Sequence, residues 1–172
     1  MDKIQSYTPE TEPDASQVIS GKEFKVFLGG TIDNGSSDDW QAKVTEVLDK
    51  RIGSRGITVI NPRREHWDAS AGREAILNQI DWEQICLNAS DAIVIVFLDG
   101  SQSPISLLEL GLFAKTGKVS AFCTDKYYRY DNVEDTCKRY GVKLVNSNDP
   151  EDIATEIMRR SYAHMTETYK PE

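Results

Sequence analysis

The sequence predicts a doubly wound α/β domain, and three observations point to it. Short β-branched or aromatic runs alternate with longer amphipathic stretches from Phe24 to Arg160. The links between them are short, as strand–helix units require. One run, Ala92 to Leu98, is apolar at every position, which marks a central parallel strand covered on both faces.

Residues 1–22 are polar, carry Pro9 and Pro13 and show neither a two-residue nor a 3.6-residue period, so they read as a flexible N-terminal arm. Phe24 to Leu28 is the first strand, and Gly29-Gly30-Thr31 follow, where missing side chains permit a sharp turn or a close approach. The glycines lack the spacing of a dinucleotide fingerprint and the lysine of a P-loop. After a polar loop from Asp33 to Ser37, Ser37 or Asp38 caps a helix to about Arg51, with Trp40, Val44, Val47 and Leu48 on its inner face. Ile57 to Ile60 is the second strand, and the residue before Pro62 keeps the chain extended as it leaves. Arg63, Arg64, His66 and Trp67 stand in the charged, aromatic loop beyond; the two arginines read either as solvated surface or as the lining of a substrate mouth.

Glu74 to Asn88 is a long helix with a broad apolar stripe: Ile76, Leu77, Ile80, Trp82, Ile85, Cys86 and Ala89. Asp81 and Glu83 flank Trp82, so one acid turns to the sheet end and the other to water. Asp91 caps or turns the chain into the third strand, Ala92 to Leu98. Asp99 to Ser103 is a loop, and a helix then runs to about Thr116. Val119 to Phe122 is the fourth strand, Asp131 to Arg139 a helix capped by Asp131 and broken by Gly141, and Val142 to Val145 the fifth strand. Asp149 and Pro150 open the last helix, to about Arg160. Residues 161–172 read as a tail.

With right-handed crossovers, five strands of this length fit a flavodoxin-like sheet of order 2-1-3-4-5 over residues 23–160. That order reverses between strands one and three, and ligands bind at such a point. The residues gathered there are Gly29, Gly30, Thr31, Asp33, Asp99, Ser103, Ser106 and Glu109. Glu109 is the single charge in the run from Pro104 to Ala114. Two readings stand for it. With Ser106 three residues earlier it matches a capping box. Alternatively it is a carboxylate held in an apolar wall, a costly placement that often marks a functional group.

The chain has 172 residues, enough for one domain with its own core, and a formal net charge of −8, which argues against nucleic-acid polymers and anionic membranes as partners. Three scattered cysteines, Cys86, Cys123 and Cys137, fit free thiols in a reducing compartment, and no stretch is apolar for the length of a bilayer; the expected setting is cytoplasmic. Two distant histidines and no histidine–cysteine cluster give no metal site, and no cofactor is expected. Neither a Ser-His-Asp nor a Cys-His pattern falls in the cleft, so carboxylates carry any chemistry. A glutamate can attack an anomeric carbon to form a glycosyl ester while a second acid protonates the leaving group.

At Val26-Phe27-Leu28-Gly29-Gly30-Thr31, Trp40, Asn61-Pro62-Arg63-Arg64, Ile80-Asp81-Trp82-Glu83, Ala89-Ser90-Asp91-Ala92, Ser103 to Gly111 and Tyr128 to Val133, the chain resembles the nucleoside 2-deoxyribosyltransferase superfamily, in its nucleoside 2-deoxyribosyltransferase-like branch. The resemblance implies transfer of 2-deoxyribose between nucleobases through a covalent deoxyribosyl-glutamate. Its alternatives are hydrolysis of an N-glycoside in a nucleoside or its 5′-monophosphate, and a nucleotide-binding or sensing module without turnover. It implies Glu109 as nucleophile and Asp81 as the acid near the base, with Asp99 at the nucleoside. Trp67 would stack on the base, Arg63, Arg64 or Arg129 would hold a phosphate, and Asn132 falls in the stretch that fits the branch. Two positions depart from the pattern: Ser103 stands where transferases carry an aspartate, and Phe27 where they carry a tyrosine. The implied partners are a nucleoside or nucleotide, a free nucleobase and further copies of the chain as a homo-oligomer.

Overall fold

The computed structural model describes residues 4–53, 56–64 and 72–168. Its strands are β1 (Ile4–Tyr7), β2 (Phe24–Gly30), β3 (Ile57–Ile60), β4 (Ala92–Phe97), β5 (Val119–Cys123) and β6 (Lys143–Val145). They form one sheet in the order β1-β3-β2-β4-β5-β6, and every neighbouring pair is parallel. The helices are α1 (Ala15–Ile19), α2 (Trp40–Arg51), α3 (Arg73–Ala89), α4 (Pro104–Phe113), α5 (Tyr130–Tyr140) and α6 (Pro150–Thr168). The doubly wound α/β architecture is present, but the five-stranded order 2-1-3-4-5 is corrected to six strands, because Ile4–Tyr7 adds an edge strand beyond β3.

That edge strand also corrects the reading of residues 1–22 as a flexible arm. Ile4 to Tyr7 pair with Ile57 to Ile60, and Asn61 N–H donates to the Tyr7 carbonyl at 2.9 Å. An edge strand covers little with its side chains, so Ile-Gln-Ser-Tyr carries almost no hydrophobic signal; backbone pairing holds it. Asp14 then caps α1 by accepting from Ser16 N–H, and the buried Trp82 indole donates to the Glu12 carbonyl at 2.9 Å. The segment read as a tail continues α6 through Thr168, since no glycine or proline interrupts 161–168.

Two apolar layers enclose the sheet. On one face α2 and α6 bring Trp40, Val44, Leu48, Ile153, Ala154 and Ile157 onto Val26, Leu28, Val94 and Val96. On the other, α1, α3, α4 and α5 bring Val18, Trp82, Cys86, Leu110, Phe113 and Val133 onto Phe27, Ile93, Ile95 and Phe97. The alternation of partners along β2 and β4 is what two covered faces require. The three cysteines are free and buried within the second layer.

The broad apolar stripe of α3 is only partly used. Trp82, Cys86 and Leu87 are buried, whereas Ile76, Leu77, Ile80 and Ile85 stand 45–49% exposed. On α4, Ile105, Leu108 and Leu112 are 56–59% exposed, spaced along the side opposite the sheet. No described helix is long and apolar enough to cross a membrane.

Candidate active site

The strand order reverses between β2 and β4, and α4 rises from the C-terminal end of β4 beside that gap. Gly29 and Gly30 are the last residues of β2, in register with Ile95 and Val96 of β4. A Cβ added at Gly30 would meet the Val96 carbonyl oxygen at 2.3 Å, and Gly30 has φ +139°. A Cβ at Gly29 would come within 3.3 Å of Glu109 Oε2 and 3.4 Å of the Phe27 ring. The bare backbone of Gly29 is therefore the floor on which the Glu109 carboxylate lies.

Glu109 is 6% exposed, on the buried face of α4 with Ser106 and Phe113. Burial pushes its carboxyl up to about 8, and the negative charge of Glu83 adds to the rise. Among the described residues no hydrogen bond reaches the Glu109 carboxylate. Phe27 stands beside it with no hydroxyl to offer. The capping-box reading does not hold. The helix starts at Pro104, its cap residue is Ser103 at φ 44°, and no side-chain cap bond forms. Ser106 therefore lies inside the helix instead of at its cap, and the Ser103 hydroxyl is engaged with Thr31 and Ser101.

The second acid facing this site is Glu83 of α3. Burial raises its carboxyl, while a hydrogen bond from Gln79 and the charge of Arg64 pull it down. Gln79 Nε2 donates to Glu83 Oε1 at 2.8 Å, and Arg64 Nε donates to Gln79 Oε1. Asp81, two residues earlier, is exposed to water. With Trp82 buried between them, residues two apart cannot share a helix face. The sequence left open which acid turns inward; packing of Trp82 under Glu12 decides it for Glu83.

Beyond Glu109, at the start of α4, three buried hydroxyls form a cluster. Thr31 Oγ1 lies 2.9 Å from Ser101 Oγ and 2.6 Å from Ser103 Oγ, and those two serines are 2.9 Å apart. Leu98 N–H donates to Thr31 Oγ1 at 3.0 Å, and the Trp40 indole donates to the Thr31 carbonyl at 3.0 Å. The cluster ties the ends of β2 and β4 to the first turn of α4.

Other expected site residues stand elsewhere. Arg63 is buried, and its guanidinium donates to Ser37 Oγ and to the carbonyls of Gly35, Ser37 and Asp38 at 2.7–3.3 Å, with Asp39 at 3.7 Å. Arg63 is not solvated surface: it clasps the 35–39 loop. Asp33 is exposed at φ 47° in a single 3-10 turn, Asp33–Gly35. Asp99 is exposed and accepts a hydrogen bond from Thr124. Arg129 and Asn132 line a groove of about 380 Å³ with Leu107, Leu110, Gly111 and Thr136. Leu107 and Gly111 are two residues either side of Glu109, so this groove lies across α4 from the carboxylate. Trp67 lies outside the described residues. Sequence reasoning brought Gly29, Gly30, Thr31, Ser103, Ser106 and Glu109 together; it missed Gln79 and Ser101. Gln79 had a signal, being one helical turn before Glu83, whereas nothing in the pattern set Ser101 apart.

The chain matches the protein family described as nucleoside 2-deoxyribosyltransferase like over residues 23–127, from the start of β2 past β5. Every residue of the Glu109 site falls inside that stretch, while Arg129 and Asn132 lie beyond it. Among solved structures, a conserved protein from Enterococcus faecalis V583 superimposes with a TM-score of 0.59 at 20% identity, covering 80% of this chain and 99% of that one. At that identity the likeness is one of fold. No curated protein matches the chain.

Proposed function

The chain belongs to the nucleoside 2-deoxyribosyltransferase-like family, and on that premise we propose that it transfers 2-deoxyribose from one nucleobase to another through an ester on Glu109. The observation that carries this reading is a buried carboxylate laid on the bare backbone of Gly29, with a second acid, Glu83, close enough to raise its proton affinity. Two carboxyl groups facing one gap are what glycosidic bond exchange needs.

In the first step the proton that Glu109 holds near neutral pH passes to Glu83, and the freed Glu109 oxygen bonds to C1′ as the C1′–N bond opens. The bonding pair leaves with the base, and a proton from Glu83 neutralises its nitrogen. In the second step a nitrogen of the incoming base bonds to C1′ and the ester C1′–O bond breaks, restoring the carboxylate. The proton displaced from the incoming nitrogen returns to Glu83. Glu83 takes the place that the resemblance gave to Asp81, because Asp81 faces water. The cluster of Thr31, Ser101 and Ser103 stands where the sugar's hydroxyls would lie, at the amide-rich start of α4.

A second reading has its own support. A serine, held by two other hydroxyls at a helix N-terminus, replaces the aspartate that transferases carry at position 103. Hydroxyls and helix amides suit a 5′-phosphate better than a carboxylate would. This favours an N-glycoside hydrolase acting on a nucleoside monophosphate, with water as acceptor. The exposed apolar rows of α3 and α4 lie on the two helices that carry the site, and they support a homo-oligomer in which a second copy covers them.

The deciding experiment incubates the protein with 2′-deoxynucleosides and their 5′-monophosphates, each with and without a second free base, and separates the products. A new nucleoside formed only with the second base supports transfer. Free base and sugar phosphate with no exchange product support the hydrolase. No product in any mixture rejects both.

A further inference from the structure

Gln79 and Arg64 have no part in the chemistry described above, yet they reach it through an ordered chain of hydrogen bonds. Arg64 Nε is a donor and can never accept, so the Gln79 atom facing it must be the carbonyl oxygen. The amide NH₂ is thereby fixed on the other side, where it donates to Glu83 Oε1 at 2.8 Å. The amide cannot flip without setting donor against donor. Because Oε1 accepts this bond, a proton on Glu83 belongs on Oε2. A donor on one oxygen also weakens the carboxyl's hold on a proton at the other.

Resting on the proposed reading of Glu83 as the acid, we propose that Gln79, oriented by Arg64, is a positioning residue that holds Glu83 by Oε1 and reserves Oε2 as the oxygen that passes its proton to the leaving base. The charged and titratable groups facing Glu83 among the described residues are Arg64 from the loop after β3 and Glu109 from α4; on its own helix Cys86 lies near, with a thiol that burial pushes up to about 12. Of these, Glu109 competes for the same proton, and Arg64 acts both through Gln79 and by its charge. The amide is the one link whose removal leaves every charge in place.

The test titrates Glu83 directly, without turnover. Protein labelled with ¹³C at the glutamate carboxyl carbon is prepared as Glu109→Gln, so that Glu83 titrates without its partner, and the Glu83 resonance is assigned by its loss in Glu83→Gln. Gln79→Met should then raise the Glu83 midpoint by about one pH unit, the worth of a hydrogen bond to a charged group. In the chain with Glu109 restored, the same substitution should move the alkaline limb of the pH–rate profile, where Glu83 gives up its proton, to higher pH. If Gln79→Met does not fold, Gln79→Asn, which keeps the amide but is too short to bridge both partners, must show the same rise. A midpoint that stays put with Arg64 in place overturns the proposal, since Arg64 would then act by charge alone. A protein that turns over no nucleoside, but whose Glu83 midpoint rises as expected, rejects the enzymatic reading and leaves the hydrogen-bonded relay standing. Normal turnover with an unmoved midpoint does the reverse.

Discussion

Gly29 and Glu109 are two halves of one arrangement, a side chain removed so that another can lie flat. Restoring a Cβ in Gly29→Ala places it 3.3 Å from Glu109 Oε2 and 3.4 Å from Phe27, tight enough to shift the carboxylate by a few tenths of an ångström. The expected result is a fall in kcat of about 10- to 100-fold with a stability change of no more than about 2 kcal/mol, read from kinetics and denaturant unfolding. Glu109 also makes a pH prediction. Its folded carboxyl titrates at about 8 instead of the ordinary 4.5, so between those values the folded chain keeps a proton that the unfolded chain releases. Stability is therefore whole below pH 4.5 and declines as pH rises toward 8. Glu109→Gln cannot ionise. It should match the parent at pH 4.5 and exceed it at pH 8.5 by on the order of a few kcal/mol, measured by unfolding at both values. Glu109 was legible in the sequence because it is a lone charge in an apolar run following a strand. The choice between Asp81 and Glu83 was not, because periodicity fixes the angle between two residues and not which of them meets the sheet. The surface reading of Arg63 failed for a similar reason: its partners are mostly backbone carbonyls, which no sequence pattern displays.

At the scale of elements, the contact between β2 and β4 is the tightest constraint on the site. Gly30→Ala would drive a Cβ into the Val96 carbonyl at a backbone angle that side chains avoid. A loss of about 3 kcal/mol or more is expected, seen as a lowered denaturation midpoint. Across the sheet α6 is pinned by Glu156, a fully buried carboxylate bonded to Ser120, Lys143, Arg159 and Arg160. Burial alone would raise its titration, but bonds from Arg159, Lys143 and Ser120 outweigh it and hold the carboxyl down at about 2. This contribution is present above pH 4.5 and lost as pH falls through the folded value. Glu156→Gln should cost about 3 kcal/mol at pH 7 and almost nothing near pH 2, by unfolding at the two values. The strands from β2 to β5 and the helices that follow them were legible because burial on two faces writes continuous apolar runs, and the partly buried edge strand β6 showed as a short apolar run after Gly141. β1 was not, since edge pairing uses the backbone, and neither was the last stretch of α6, whose polar residues hide an uninterrupted helix.

For the whole molecule, the unspent apolar surface sits on α3 and α4, the same helices that carry Glu83 and Glu109. If a second copy covers it, a paired substitution, Ile80→Lys with Leu108→Lys, should convert the oligomer to monomer in light scattering while leaving the circular dichroism unchanged. A parent protein that is already monomeric at high concentration would remove that reading. The proposed reaction is also a property of the whole molecule, because its residues come from β2, β4, α3 and α4 together. Its most direct test is to mix the protein with a 2′-deoxynucleoside in the absence of any acceptor base, quench, and measure the intact mass and the peptide map. A single deoxyribosyl addition on Glu109, absent from Glu109→Gln, is the predicted result. Base released with no adduct on Glu109, or an adduct on a different residue, would contradict Glu109 as the nucleophile.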